Sequence, residues 1–189
     1  FGGTSADNGG SVTFNAAQDI NQESALYPSG YGKLSFTAGN NVTLGTVSAS
    51  NANVSFDAGN NITVGSDIEG TNNGRVSLVA GNTNAVNGSV IAKRNGQVSL
   101  DAEVQNHVTG NLGANYLVTE THEPLPGTIN LSTRGMNAVD GNIATYGGSQ
   151  VTLDGNTNTV GSSVYSQGFG DANAKIALNA TSDNIVNAF

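Results

Sequence analysis

Apolar and polar residues alternate in short runs along this chain, and the runs recur mostly at steps of 20 to 22 residues. Val12-Thr13-Phe14, Leu34-Ser35-Phe36, Val54-Ser55-Phe56, Val76-Ser77-Leu78 and Val98-Ser99-Leu100 share one form: apolar, polar, apolar. Ile129-Asn130-Leu131, Val151-Thr152-Leu153 and Ile176-Ala177-Leu178 continue it, the last with alanine at the centre. The steps are 22, 20, 22, 22, 31, 22 and 25 residues. A period of two is the signature of a strand with one face inward and one outward. The segments from Leu34 and Val54 nearly repeat each other: a strand, a corner reading Ala-Gly-Asn-Asn, then Val42-Thr43-Leu44 or Ile62-Thr63-Val64. A third short strand is expected at Val47-Ser48-Ala49, Val90-Ile91-Ala92, Ile143-Ala144-Thr145 and Val164-Tyr165-Ser166.

Three short strands per repeat at this period predict a solenoid, since one repeat cannot bury its apolar face alone. The pattern predicts an all-β fold: a right-handed parallel β-helix of about eight coils, one domain over residues 1–189. Coils stacked at the strand spacing make a rod of roughly 38 Å. The corner glycines and asparagines are expected to take left-handed backbone. Asn40, Asn60 and Asn82, with Asn156 in the same register, are expected to bond side chain to side chain along the axis. Two stretches break the rhythm. Residues 16–32 hold a longer corner. Residues 103–127 widen the step from Val98 to Ile129 to 31 and read as an insert loop, which should lie at the surface where water satisfies irregular backbone.

Val54-Ser55-Phe56-Asp57-Ala58-Gly59-Asn60-Asn61-Ile62-Thr63-Val64, with its copies from Leu34 and Val76, resembles the repeats of filamentous-haemagglutinin-type exoproteins, the secreted partners of two-partner secretion and the stick-like effectors of contact-dependent inhibition. The resemblance covers most of residues 12–180, and its corner motif degrades after Val98. It implies a β-helix, export through an outer-membrane transporter, and a place at the bacterial cell surface as adhesin or filament. Its partners would be a receptor or glycan on a host or neighbouring cell. Phe1-Gly2-Gly3-Thr4 reads as mid-repeat sequence with no signal peptide before it, so a fragment of a longer protein is expected.

Composition narrows the partners. Net charge is −8 with six Lys and Arg, and Lys93-Arg94 is the one adjacent basic pair, so neither nucleic acid nor an anionic membrane surface is expected. No apolar run is long enough to insert in a bilayer. Cysteine is absent, which removes disulfides and thiolate metal ligands.

Parallel β-helices also carry polysaccharide lyases and hydrolases, so a glycan-active enzyme is the alternative reading, and a spacer that binds nothing is another. Such an enzyme needs carboxylates on adjacent coils. Asp57, Asp101 and Asp154 share one column, but Val79 and Ser132 separate them, leaving carboxylates two coils or roughly 10 Å apart. Neither Gly-x-Ser-x-Gly nor His-Glu-x-x-His occurs. We therefore expect no catalysis, no cofactor and no metal. Residues 103–127 hold both histidines, and His107, Tyr116, Glu120, His122 and Glu123 are the candidate ligand-binding residues, rare side chains in a chain otherwise built of Ser, Asn and Gly. The alternative is a cover, with Leu112, Leu117 and Val118 packed down on the coil junction.

Overall fold

A computed structural model describes residues 9–114, 125–168 and 173–187. There the chain winds as an all-β parallel solenoid of about 7 turns, with no helix among the described residues. A complete inner coil supplies three short strands, and every strand pairs in parallel with its counterpart one coil away. The first strands run from Ser11–Ala16 through Lys33–Ala38, Asn53–Ala58, Arg75–Ala80, Gln97–Ala102 and Thr128–Thr133. They end in Gln150–Val160 and Lys175–Val186, which continue unbroken through the first corner, so that first and second strands form one 14-stranded sheet. The third strands make a separate 6-stranded sheet.

The register follows the sequence columns. Phe14, Phe36, Phe56, Leu78, Leu100, Leu131, Leu153 and Leu178 pair in succession down the first ladder. Identical side chains at identical depth stack on one another. The Phe14 and Phe36 rings lie 4.8 Å apart and the Phe36 and Phe56 rings 5.0 Å apart, within the range of favourable offset stacking. Leu34, Val42, Val47 and their successors fill the remaining interior and are buried as far as Val151, Asn158 and Ile143, while Val164 and Ile176 at the end of the stack are only partly covered.

The Ala-Gly corner works differently from the expectation. Gly39, Gly59 and Gly81 do not take left-handed backbone. They are glycine because successive corners stack backbone on backbone. A Cβ at Gly39 would sit 2.2 Å from the Ala17 carbonyl oxygen, and Cβ atoms at Gly59 and Gly81 would sit 2.3 Å from the carbonyl oxygens of Gly39 and Gly59. A single methyl in this column has no free space, so Gly59→Ala should lower stability by about 1–3 kcal/mol, read from denaturant unfolding. The left-handed residues stand instead at the corner after the third strand: Asn51, Asn73 and Asn95 have φ of 54°, 65° and 62°, Asn72 and Arg94 beside them have 50° and 53°, and Gly30 and Tyr31 have 67° and 65° in the coil before.

The insert is shorter than residues 103–127. Gln105–Val108 pairs with Thr83–Val86 and Met136–Val139, and Leu112–Ala114 pairs with Val90–Lys93 and Ile143–Tyr146, so the coil continues to Ala114. Leu112 is fully buried in that coil. The chain is back in the stack where Asn95 N donates to the Pro126 carbonyl and Thr128 N to that of Gly96. The nine surplus residues of the 31-residue step therefore fall within 115–126, and residues 115–124 lie outside the described residues.

Candidate functional site

Asparagines set the coil geometry, in ladders of opposite sense. On the surface, side chains accept from the following coil. Asn61 Nδ2 donates to Asn41 Oδ1 at 3.2 Å and Asn82 Nδ2 to Asn61 Oδ1 at 3.0 Å. Asn60 Nδ2 reaches Asn40 Oδ1 at 3.5 Å. This ladder begins at Asp19, whose Oδ1 takes the Asn40 and Asn41 amides and the Asn41 N–H. It stops at Asn82, because Val104 and Gly135 hold the corner in the next two coils; Asn156 instead accepts from Thr181 Oγ1. At the second corner Asp67, Ser89, Asn111 and Asn142 likewise accept backbone N–H groups of the next coil, from Ser89, Asn111, Asn142 and Ser163. A carboxylate has no donor group that would need an acceptor in the coil before it, which suits it to head such a row.

The third ladder is inside. Asn84, Asn106, Asn137 and Asn158 are wholly buried, where earlier coils carry Val42 and Ile62. Each donates forward to the next asparagine: Asn84 to Asn106 at 3.0 Å, then Asn106 to Asn137, Asn137 to Asn158 and Asn158 to Asn184, each at 2.9 Å. The second amide hydrogen of each reaches a main-chain carbonyl: Asp101 from Asn84, Ser132 from Asn106, Asp154 from Asn137 and Asn179 from Asn158. Asn84 Oδ1, at the head, faces the Ile62 coil and has no partner. The sequence signal was an Asn-x-Val in each of the five coils, at Asn84, Asn106, Asn137, Asn158 and Asn184, in place of apolar-Thr-apolar.

Of the five candidate ligand-binding residues, His107 is described. It lies on the strand Gln105–Val108, pointing outward between Ala85 and Ala138, with Nε2 3.0 Å from Asp140 Oδ2. Tyr116, Glu120, His122 and Glu123 fall outside the described residues. His107 thus belongs to the stack, and no contact between it and the other four is established. Among the described residues no three His, Asp or Glu side chains converge as a metal site would require.

The aspartate column keeps its spacing. Asp57, Val79, Asp101, Ser132 and Asp154 pair coil to coil, so each pair of carboxylates has one other residue between. Asp101 and Asp154 flank a surface groove of about 310 Å³ that also takes in Glu103, Ser132, Thr133 and Arg134. Arg134 Nη1 bonds Glu103 Oε2 at 2.8 Å, and both are well exposed, so the pair contributes little to stability.

Comparison with protein-family models, with curated proteins and with solved structures finds no match to this chain.

The exposed aromatics gather on one side. All four described tyrosines lie on or beside the third-strand sheet. Tyr27 and Tyr31 are 65% and 74% exposed at the first coil, and Tyr165 is 47% exposed at the last strand of that sheet. Tyr146 packs on Tyr165 with ring centres 5.7 Å apart. Between the two ends, Glu69 binds Lys93 in an ion pair and accepts from Ser48 Oγ at 3.3 Å. Sequence reading passed over these tyrosines because they are scattered through the chain; only the winding gathers them.

Proposed function

We propose that this chain is a structural and adhesive segment of a secreted bacterial surface exoprotein of the filamentous-haemagglutinin type, acting without catalysis. The observation that supports this best is the unbroken register of eight first strands. The chain spends its residues on length and stacking, and the aspartates of its outer column, Asp57, Asp101 and Asp154, stay two coils apart. The resemblance of the Ala-Gly-Asn-Asn repeats to those exoproteins supplies the secretion route through an outer-membrane transporter. The partner is a receptor or glycan on a host or neighbouring cell, met through the insert that carries Tyr116, Glu120, His122 and Glu123.

Beads coated with the chain should attach saturably to epithelial or bacterial cells. Deleting residues 115–124 and closing the gap with a short Gly-Ser turn should abolish attachment and leave the melting temperature unchanged, since the stack closes through Ala114 and Gly127 without them. Absence of attachment by the parent chain would make it a spacer. A large fall in melting temperature with attachment intact would make the insert a cover.

A further inference from the structure

We propose that the corner formed by Tyr27, Tyr31 and Asn51 is a binding site for a neutral oligosaccharide, at the opposite end of the third sheet from Tyr165. Three observations meet there. Tyr31 holds φ 65°, a conformation that costs a bulky side chain strain; the next coils give it to Asn51, to Asn72 and Asn73, and to Arg94 and Asn95. A strained residue that is also 74% exposed does nothing for the core, and strain retained at the surface points to use. Tyr27, four residues before it, is the other most exposed aromatic, so two amphipathic rings stand at one corner.

The second observation comes from ladder polarity. Asn95 Nδ2 donates to Asn73 Oδ1 and Asn73 Nδ2 to Asn51 Oδ1, both at 3.3 Å. The sense calls for an acceptor in the coil before Asn51, and the residue in that place is Tyr31, whose phenol oxygen stands at the far end of its ring and takes no bond from Asn51. Among the described residues Asn51 Nδ2 has no protein acceptor beside the two rings. The other surface rows begin on Asp19 and Asp67, which only accept; this one begins on a free donor.

The third is charge. Among the described residues the neighbouring outward side chains are Ser48 and Ser50 with Asn73, the nearby carboxylate Glu69 is already engaged by Lys93, and the exposed Lys33 follows Tyr31 by two residues on the first strand. Two exposed rings, a directed amide donor and hydroxyls, with no unengaged carboxylate beside them among the described residues, match the C–H face and hydroxyl edge of an uncharged sugar. They lack the apolar centre of a protein interface. This deepens the adhesive reading by naming a ligand class, and rests on that reading only for its use at a cell surface.

Binding of maltopentaose, cellopentaose and mannopentaose to the purified chain, followed by calorimetry and by tyrosine emission free of tryptophan, tests it, with a sulfated hexasaccharide alongside. At least one neutral probe should bind and the sulfated one should not. Tyr31→Asn should weaken binding about tenfold or more while raising the melting temperature by about 2–4 °C, because asparagine suits the left-handed corner. Tyr27→Ala and Asn51→Ala should weaken binding with the fold intact, and Tyr165→Ala should leave it unchanged. Failure of all three neutral probes to bind the parent, or undiminished binding by Tyr31→Asn, overturns the site. A preference for the sulfated probe, or for a protein receptor with no sugar bound, overturns it too. Sugar binding without cell attachment would sink the adhesive reading and leave the corner standing; attachment unaffected by Tyr31→Asn with no sugar bound would do the reverse.

Discussion

Asn137→Ala should destabilise the rod by about 3–5 kcal/mol, although the side chain is polar and lies where earlier coils use isoleucine or valine. Asn137 is fully buried in the middle of the inner ladder. Removing its amide strands three groups at once. Asn106 loses the acceptor it reaches at 2.9 Å, Asn158 Oδ1 loses its donor at 2.9 Å, and the Asp154 carbonyl loses its donor at 3.0 Å. Each stranded buried group costs about 1–3 kcal/mol. The head of the ladder sets the contrast. Asn84 Oδ1 is already unpartnered, so Asn84→Val exchanges one orphan for another, at Asn106, and leaves the Asp101 carbonyl without its donor. Its expected cost is about 1–2 kcal/mol, offset in part by apolar burial. Equilibrium unfolding of the two variants checks this. Equal losses would mean that the ladder is a row of independent bonds with no coupling along it.

Phe56→Ala is expected to cost about 3–5 kcal/mol. The ring is 1% exposed, stacks on Phe36 at 5.0 Å, and pairs in register with Leu78 on its other side. A cavity there is walled by two neighbours that cannot move inward, because strand pairing on either side fixes the coil spacing. Collapse is thus restricted and the loss sits high in the range. Calorimetric melting of the variant against the parent is the measurement; a shift of a degree or less would show that the phenylalanine column is not the spine of the core. Circular dichroism of both should keep the strand signature, since the remaining coils still template each other.

The fold was legible because its signal is redundant. The columns at Val12 and Phe14 recur in every coil, and register in a two-faced strand admits no one-residue slip. What escaped were positions where a residue type carries an unaccustomed meaning. Asn106 stands in an apolar column, so Gln105-Asn106-His107-Val108 reads as polar loop, and the insert expected from residue 103 begins only after Ala114, twelve residues later at 115. Gly59 reads as a conformational glycine, yet it is a contact glycine whose constraint comes from the coil above. Asn51, Asn73 and Asn95 are the left-handed residues, and their signal, Asn-Gly at residues 73–74 and 95–96, lies in plain view. Of the candidate site, the spacing of Asp57, Asp101 and Asp154 was readable by counting. The gathering of tyrosines was not, since it depends on which of three faces each corner presents.

The direction of the hydrogen bonds gives the rod a mechanical character. Strand pairing runs between coils, along the long axis, so a pull on the two ends loads those bonds one coil at a time rather than all together. A coil of 22 residues, once peeled, lengthens the chain by roughly 70–80 Å, against about 5 Å that it occupied in the stack. Coils from Asn84 onward carry the buried amide row as well as their strand bonds, whereas those before it add only solvent-facing side-chain bonds, such as Asn61 to Asn41, to strand pairing and apolar contact. Tension would therefore unwind the Val42 and Ile62 coils first and spare the amide-threaded part, so that under load the molecule behaves as a stiff stem with an extensible lead.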